Sequence, residues 1–301
     1  MFHKFIFCAL LSSALFQIPS AAQTASSRKV KPPSPASANP SATSVGTVEN
    51  RIEKYLRNLY AWGPAFDVKV GPAKPSSIAD LLEVPVTVSM GGQSDTAVVY
   101  VSKSGDFLIR GELTNMSVDP FADARSKLQV GDSPSMGPTD AKITLFEFAD
   151  FECPSCRQLD LLLRDLLPRH PEIQLVFKHY PLTNIHPWAM TAAIGTQCAY
   201  QQNPAAFWKM HDAIFDAQEV ISPSNAWDKL QELAKQAGLD SETYRTCISN
   251  PETAAKIQKT IQEGKTLTIT ATPTTFINGR RLIGPDQPQL EQYLTFEEST
   301  R

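Results

Sequence analysis

Two cysteines separated by two residues, Cys153-Pro154-Ser155-Cys156, stand between the apolar run Ile143 to Phe146 and a leucine-rich segment. The run ahead reads as a strand. The segment behind reads as a helix, with Leu159, Leu162, Leu163, Leu166 and Leu167 on one face and Arg157, Asp160, Arg164 and Asp165 towards water. The pair therefore falls where a strand becomes a helix. Cys153 takes the N-cap and Pro154 the first helical position, where a missing N–H costs nothing. Unpaired N–H groups and the positive end of the helix dipole favour a thiolate at Cys153. Cys156, one turn on, is in reach of a mixed disulfide formed on its partner. This arrangement suits redox chemistry. The same spacing serves half of a zinc site, but a structural zinc wants a second closely spaced pair, and the sequence has none.

The compartment follows from the first residues. Lys4, the apolar stretch Phe5 to Phe16 and the small residues Ser20-Ala21-Ala22 have the form of a secretory signal over 1–22. The apolar stretch is too short for a permanent span, which takes about 20 residues. Cys8 lies inside it and is expected to be discarded with it. The mature protein is thus expected to be periplasmic or secreted. Removing 1–22 takes away one lysine and no acid, so the formal charge moves from −3 to −4. That mild acidity argues against nucleic acid as a partner. Cys153, Cys156, Cys198 and Cys247 remain, an even number that fits two disulfides in an oxidising compartment.

Residues 23–46 are rich in Ser, Pro and Ala, hold no acid, and read as a disordered linker. Its basic residues Arg28, Lys29 and Lys31 read as solvated. A small α+β domain is expected over 47–112. Val48, Ile52, Tyr55, Leu56 and Leu59 recur at helical spacing, and Gly63-Pro64 stops the helix. Period two follows: Phe66 to Val70, Leu82 to Val88, Thr96 to Val101 and Phe107 to Arg110. Pro85 lacks an N–H for the ladder, which predicts an edge strand or a bulge. One helix on so small a sheet leaves a face or edge over. Val84, Val86 and Val88 are expected to bury more fully against a second copy, which makes a homodimer the competing arrangement to a monomer. Residues 113–130 read as a connector with a short helix near Phe121.

The catalytic domain is expected over 131–301. Its first strand ends at the Cys pair, and Ile173 to Phe177 forms a second strand parallel to it across the helix. A helical insertion spans about 186–264: Trp188 to Gln201, a helix through Phe207, Met210 and Ile214, Ala226 to Ala237, a short helix capped by Asp240, and one opened by Asn250-Pro251. His186 and His211 read as structural or solvated. Thr274 to Ile277, the hairpin signal Asn278-Gly279, Arg281 to Ile283 and a short helix from Gln289 to Leu294 complete the chain.

This α/β order, βαβ, helices, then ββα, with Cys-x-x-Cys at the first strand–helix junction, resembles the thioredoxin-like fold with an α-helical insertion found in DsbA-like thiol:disulfide oxidoreductases. The stretches Phe148 to Cys156, His186-Pro187 to Cys198-Ala199, Phe207-Trp208 with His211-Asp212, and Thr272-Pro273-Thr274 to Gly279 carry the resemblance. It implies roles by position. Cys153 matches the nucleophile and Cys156 the resolving thiol. Thr272-Pro273 matches the cis-proline loop that offers backbone hydrogen bonds to an extended substrate. Glu147 matches a buried acid that relays protons to the resolving cysteine, and its neighbours Phe146 and Phe148 favour burial over an exposed strand edge. Cys198 and Cys247 fall where some members carry a structural, non-catalytic disulfide; unpaired buried thiols are the alternative.

Ser155 departs from the strongest oxidases, which have histidine there, and so predicts a milder oxidant. Threonine before the cis-proline is shared with disulfide isomerases, and the small domain is similar in outline to the dimerisation domain of the DsbC and DsbG type. The expected activity is exchange of disulfides with protein thiol substrates. It needs no organic cofactor or metal, and a membrane redox partner resets the pair. The rivals are isomerisation or reduction by the same chemistry, a peptide-binding chaperone, and copper delivery through the two thiolates, which lacks a convincing histidine ligand.

Overall fold

The computed structural model describes residues 47–300, and the expected signal (1–22) and linker (23–46) lie outside the described residues. The chain divides into two units between Asn115 and Met116. In the first, helix α1 (Val48–Leu59) buries Ile52 and Leu56, one turn apart, against an antiparallel sheet. Strands β1 (Asp67–Val70) and β2 (Lys74–Pro75) pair along one side of β3 (Leu81–Met90). Strand β4 (Gln93–Ser102) pairs along the other side and then with β5 (Leu108–Arg110). Gly91 and Gly92, both at positive φ, make the tight β3–β4 turn that few other residues can adopt.

One expectation for this unit is corrected, and another is decided between its alternatives. Val84, Val86 and Val88 are already fully buried, because α1 covers the face they form. They offer nothing to a second copy. Pro85 is in the central strand, and of the two alternatives expected for it the bulge holds and the edge does not: between the Val70–Val86 and Lys74–Glu83 pairs, residues 71–73 stand opposite only two residues of β3. Its missing N–H falls where the neighbouring strand breaks between β1 and β2, and the Gly71 N–H donates to the Pro85 carbonyl there (2.8 Å). A side chain at residue 71 would collide with the Pro85 ring, 2.7 Å from where its Cβ would be.

The second unit is built on a five-stranded sheet of order β10-β9-β7-β8-β6. Strand β7 (Ile143–Ala149) is central, parallel to β8 (Ile173–His179) as the intervening helix α3 (Pro154–Leu166) requires. Strands β9 (Thr274–Ile277) and β10 (Arg280–Ile283) form the expected hairpin, with Asn278 and Gly279 at positive φ. The Asn278 side chain accepts from Thr144 N–H and donates to the Lys142 carbonyl, which ties the hairpin to the start of β7. Strand β6 (Ser135–Met136) adds an antiparallel edge that periodicity does not reveal at two residues.

Helix α2 (Ala122–Lys127), in the stretch expected as connector, packs on this unit: Arg125 donates to the Asn278 carbonyl, and buried Leu128 joins Phe146, Phe148 and Phe276. The other face of β7 meets Leu159 and Leu163 of α3. Each such side chain stabilises the fold by about 2 kcal/mol on burial.

The helical insertion comprises α4 (Ala189–Gln202), α5 (Pro204–Asp216), α6 (Ala226–Gln236), α7 (Ser241–Ile248) and α8 (Pro251–Thr266). Asp240 and Asn250 cap α7 and α8 by accepting from Thr243 and Glu252 N–H. Gly195 lets α4 approach α7, since a Cβ there would be 2.6 Å from the Tyr244 hydroxyl. Cys198 and Cys247 are disulfide-bonded across the same two helices. Helix α9 (Gln287–Ser299), longer than its apolar pattern predicts, covers the hairpin. No described helix is long and apolar enough to cross a membrane.

Candidate active site

Strand β7 ends at Ala149, and three residues later the chain enters α3 with Cys153 as the N-cap and Pro154 in the first turn. Both cysteines are free thiols. Cys153 retains 7% exposure, whereas Cys156 is fully buried, accepting from Asp150 N–H at 3.4 Å. A hydrogen bond from the Cys156 thiol is the largest influence on Cys153. Burial opposes it, while Thr272 and the N–H groups of Cys156 and Ser155 assist, and the pKa falls from 9.0 to about 5. Cys156 moves the other way. Burial pushes it well above 9.0, and its hydrogen bond to Cys153, the Cys153 charge and the nearby Glu147 add to the rise.

The turn between strand and helix is held by residues that sequence reasoning passed over. Asp150 Oδ1 accepts from Glu152 N–H (2.8 Å), and Oδ2 accepts from Leu182 N–H (2.7 Å) and lies 2.7 Å from His186 Nδ1. Gln218, just after α5, donates to the carbonyls of Phe151 (2.8 Å) and Cys153 (3.0 Å). Glu152 accepts from Trp188 N–H (2.6 Å), and its partial burial raises its pKa. An Asp at a strand-to-helix turn is an available signal for such a tie. Gln218 carries none.

The Thr272–Pro273 peptide bond is cis, and the Thr272 carbonyl lies 3.5 Å from Cys153 Sγ. The Pro273 carbonyl accepts from Gly284 N–H (2.9 Å), which fixes the loop to the end of β10. The two sequence-distant segments are thereby brought together.

Glu147 lies on the α3 face of β7, 1% exposed. Burial, with the Asp160 charge second, raises its pKa from 4.5 to about 8. Asp160 itself corrects an expectation. It is 3% exposed and not turned to water, because α5 lies over that flank of α3. Arg164 Nη2 is 2.7 Å from Asp160 Oδ2, and Arg164 also pairs with Asp212 (3.5 Å) and Asp216 (3.0 Å) of α5. Burial raises the Asp160 pKa, with His211 and Arg164 opposing. The ligand-type atoms of Asp160, His211 and Asp212 lie within 4.8 Å of one another. The Arg164 guanidinium pairs with both acids, so the trio belongs to an ion-pair network.

The family model described as thioredoxin matches residues 129–295. Over 149 residues the chain is 36% identical to an Na(+)/H(+) antiporter NhaA 3 of Salinispora tropica, covering 50% of this chain and 22% of that protein. Over 175 residues it is 27% identical to a probable disulfide bond formation protein D of Bacillus anthracis, covering 54% of this chain and 77% of that one. The chain thus spans about a fifth of the length of the antiporter relatives it matches. A solved thioredoxin-like oxidoreductase from Silicibacter pomeroyi has a similar fold, with a TM-score of 0.50 at 22% identity over 59% of this chain and 98% of that one.

Proposed function

The chain belongs to the thioredoxin family, and on that premise we propose that it is an exported thiol:disulfide oxidoreductase acting on protein cysteines. The observation that carries the reading is the opposite shift of two adjacent thiols, Cys153 down to about 5 and Cys156 far above 9.0. At neutral pH one sulfur is a thiolate with some exposure and the other a buried thiol. The Cys153 thiolate attacks a substrate disulfide and releases one substrate thiol, leaving a mixed disulfide. Glu147 in its ionised form, the minor one at neutral pH because its pKa is about 8, takes the Cys156 proton; Cys156 attacks Cys153, and the second substrate sulfur departs. Run backwards, the same steps oxidise a substrate. Thr272 and Pro273, beside Cys153, are placed to receive an extended substrate backbone. The electrons pass through the Cys pair, so no organic cofactor is needed, and a membrane redox partner resets it. Export to the periplasm is proposed from the signal-like first 22 residues. The Cys198–Cys247 bridge braces the insertion and stays outside the exchange.

Trapping decides the assignment. Cys156→Ala is expected to accumulate covalent substrate on Cys153, released by reductant, and Cys153→Ala to accumulate none. Equal trapping by both variants refutes the choice of nucleophile.

A further inference from the structure

Asp150 follows the last residue of β7, and its main chain serves both cysteines. Its N–H donates to Cys156 Sγ (3.4 Å), and its carbonyl accepts from Cys153 N–H (3.1 Å). The side chain, fully buried, fixes that stretch of backbone in place. Oδ1 takes the Glu152 N–H, which closes a local turn. Oδ2 takes the Leu182 N–H and His186 Nδ1, both at 2.7 Å, from the segment that joins β8 to α4. A carboxylate has no hydrogen to give, so Nδ1 of His186 carries one and donates it. The site fits aspartate and not asparagine, because an amide NH2 in place of either oxygen would face one of these donors. We infer that the Asp150 carboxylate and His186 form a positioning pair for the resolving step, holding the Asp150 N–H against the Cys156 sulfur, where negative charge develops.

The inference rests on the exchange reading above. In resolution, the Cys156 S–H bond breaks and its proton goes to ionised Glu147. The electron pair left on Cys156 forms the bond to Cys153 as the bond from Cys153 to substrate breaks. That bond's electrons leave on the substrate sulfur, which solvent protonates. Before its attack Cys156 is thus a buried thiolate. Burial opposes that charge, and the Asp150 N–H favours it. A donor already aimed at the sulfur needs no reorganisation when the charge appears. Cys153 draws on other donors: the Cys156 thiol, Thr272 and the N–H groups of Cys156 and Ser155. Attack and resolution are therefore served separately, and only the second takes its donor from Asp150. The Asp150 N–H touches a reacting sulfur, whereas the Asp150 carboxylate and His186 act through it. His186, with a side chain 16% exposed, is the member of the pair that can be replaced with least disturbance of the core.

The test separates the two steps. The reduced full chain is mixed rapidly with a peptide disulfide and quenched with acid, and mass spectrometry counts the mixed disulfide as it forms and as it resolves. Asp150→Asn and His186→Leu should each slow resolution about tenfold, the lower end for a hydrogen bond to a charged group, and leave attack within about twofold. His186→Asn has the branching of leucine but returns an N–H donor near the place of Nδ1, and should recover most of the rate. A side chain that only filled space would not distinguish these two variants. If Asp150→Asn does not fold, the two His186 variants decide the matter. A wild-type resolution rate in His186→Leu, equal slowing of both steps, or a His186→Asn as slow as His186→Leu overturns the proposal. Failure of the unaltered protein to form the mixed disulfide refutes the exchange reading instead.

Discussion

Glu147→Gln removes one ionisation from the middle of the sheet while keeping the side chain's shape. In the folded protein Glu147 keeps its proton up to about pH 8, against 4.5 for an ordinary glutamate, because of burial first and Asp160 second. A carboxyl with a raised folded pKa contributes stability that is full below about 4.5 and is lost as pH rises through about 8, since the unfolded chain releases the proton first. At pH 7 the loss has reached about 3 kcal/mol, at about 1.4 kcal/mol per pH unit. Urea unfolding of the reduced protein and of the variant between pH 4.5 and 8.5 measures it. Cys153 titrates in the same window with the opposite sign, adding stability as pH rises from about 5 towards 9.0. Both proteins keep Cys153, so the difference between them cancels that contribution. The variant should gain about 3 kcal/mol on the wild type between pH 4.5 and 7. The slope is the quantity to read, because an amide lacking partners adds a pH-independent cost of about 1–3 kcal/mol. The same variant should resolve mixed disulfides about 10- to 100-fold more slowly. A stability difference that stays flat with pH would refute the buried, protonated Glu147.

In the reduced protein, alkylation of Cys153 by iodoacetamide should rise about a midpoint near 5 and level off above neutrality, with Cys156 unmodified. Cys156→Ala should move that midpoint towards 9.0, since the Cys156 hydrogen bond is the main cause of the shift; an unmoved midpoint contradicts this. Replacing Cys198 and Cys247 together by alanine should lower stability by roughly 4 kcal/mol, the loop-entropy value for about 50 residues, while exchange persists. Loss of exchange in a folded double variant would assign the bridge a part in electron transfer.

What the sequence discloses here is what repeats locally. The Cys pair announces its own strand-to-helix junction, because proline after cysteine fits a helix start and the leucines beyond it have helical spacing. Glu147 is legible as buried because phenylalanine flanks it on both sides. Asp160 is not. It follows Leu159 at the border of the apolar face, and only the packing of α5, some fifty residues on, takes it out of water. Leu161 next to it is exposed, so polarity alone misassigns both positions. The valines of β3 look available for a partner because their alternation says which face is buried and not by what; α1, earlier in the chain, is what covers them. Likewise no local pattern marks Gln218, whose importance comes from standing beside carbonyls supplied by a distant segment.

The three shifted groups have one cause in common and differ in what else they meet. Burial raises Cys153, Cys156 and Glu147 alike. Cys153 alone is brought down, because at the N-cap it meets the Cys156 thiol, Thr272 and two backbone N–H groups. Cys156 is one turn further in, and its neighbours there are a thiolate and a carboxyl that both disfavour its charge. Position on the helix thus sets which of the two sulfurs is the thiolate at neutral pH. A base of ordinary strength would be poorly matched to the thiol left behind. Raising Glu147 from 4.5 to about 8 narrows the gap to Cys156 by about 5 kcal/mol. That free energy comes from the same desolvation that makes folding less favourable as pH rises. The protein has therefore lost about 3 kcal/mol of stability by pH 7, and loses the whole of that free energy only above pH 8. Stability and resolution rate should consequently move in opposite directions when Glu147 is neutralised, which a carboxyl serving only the fold would not produce.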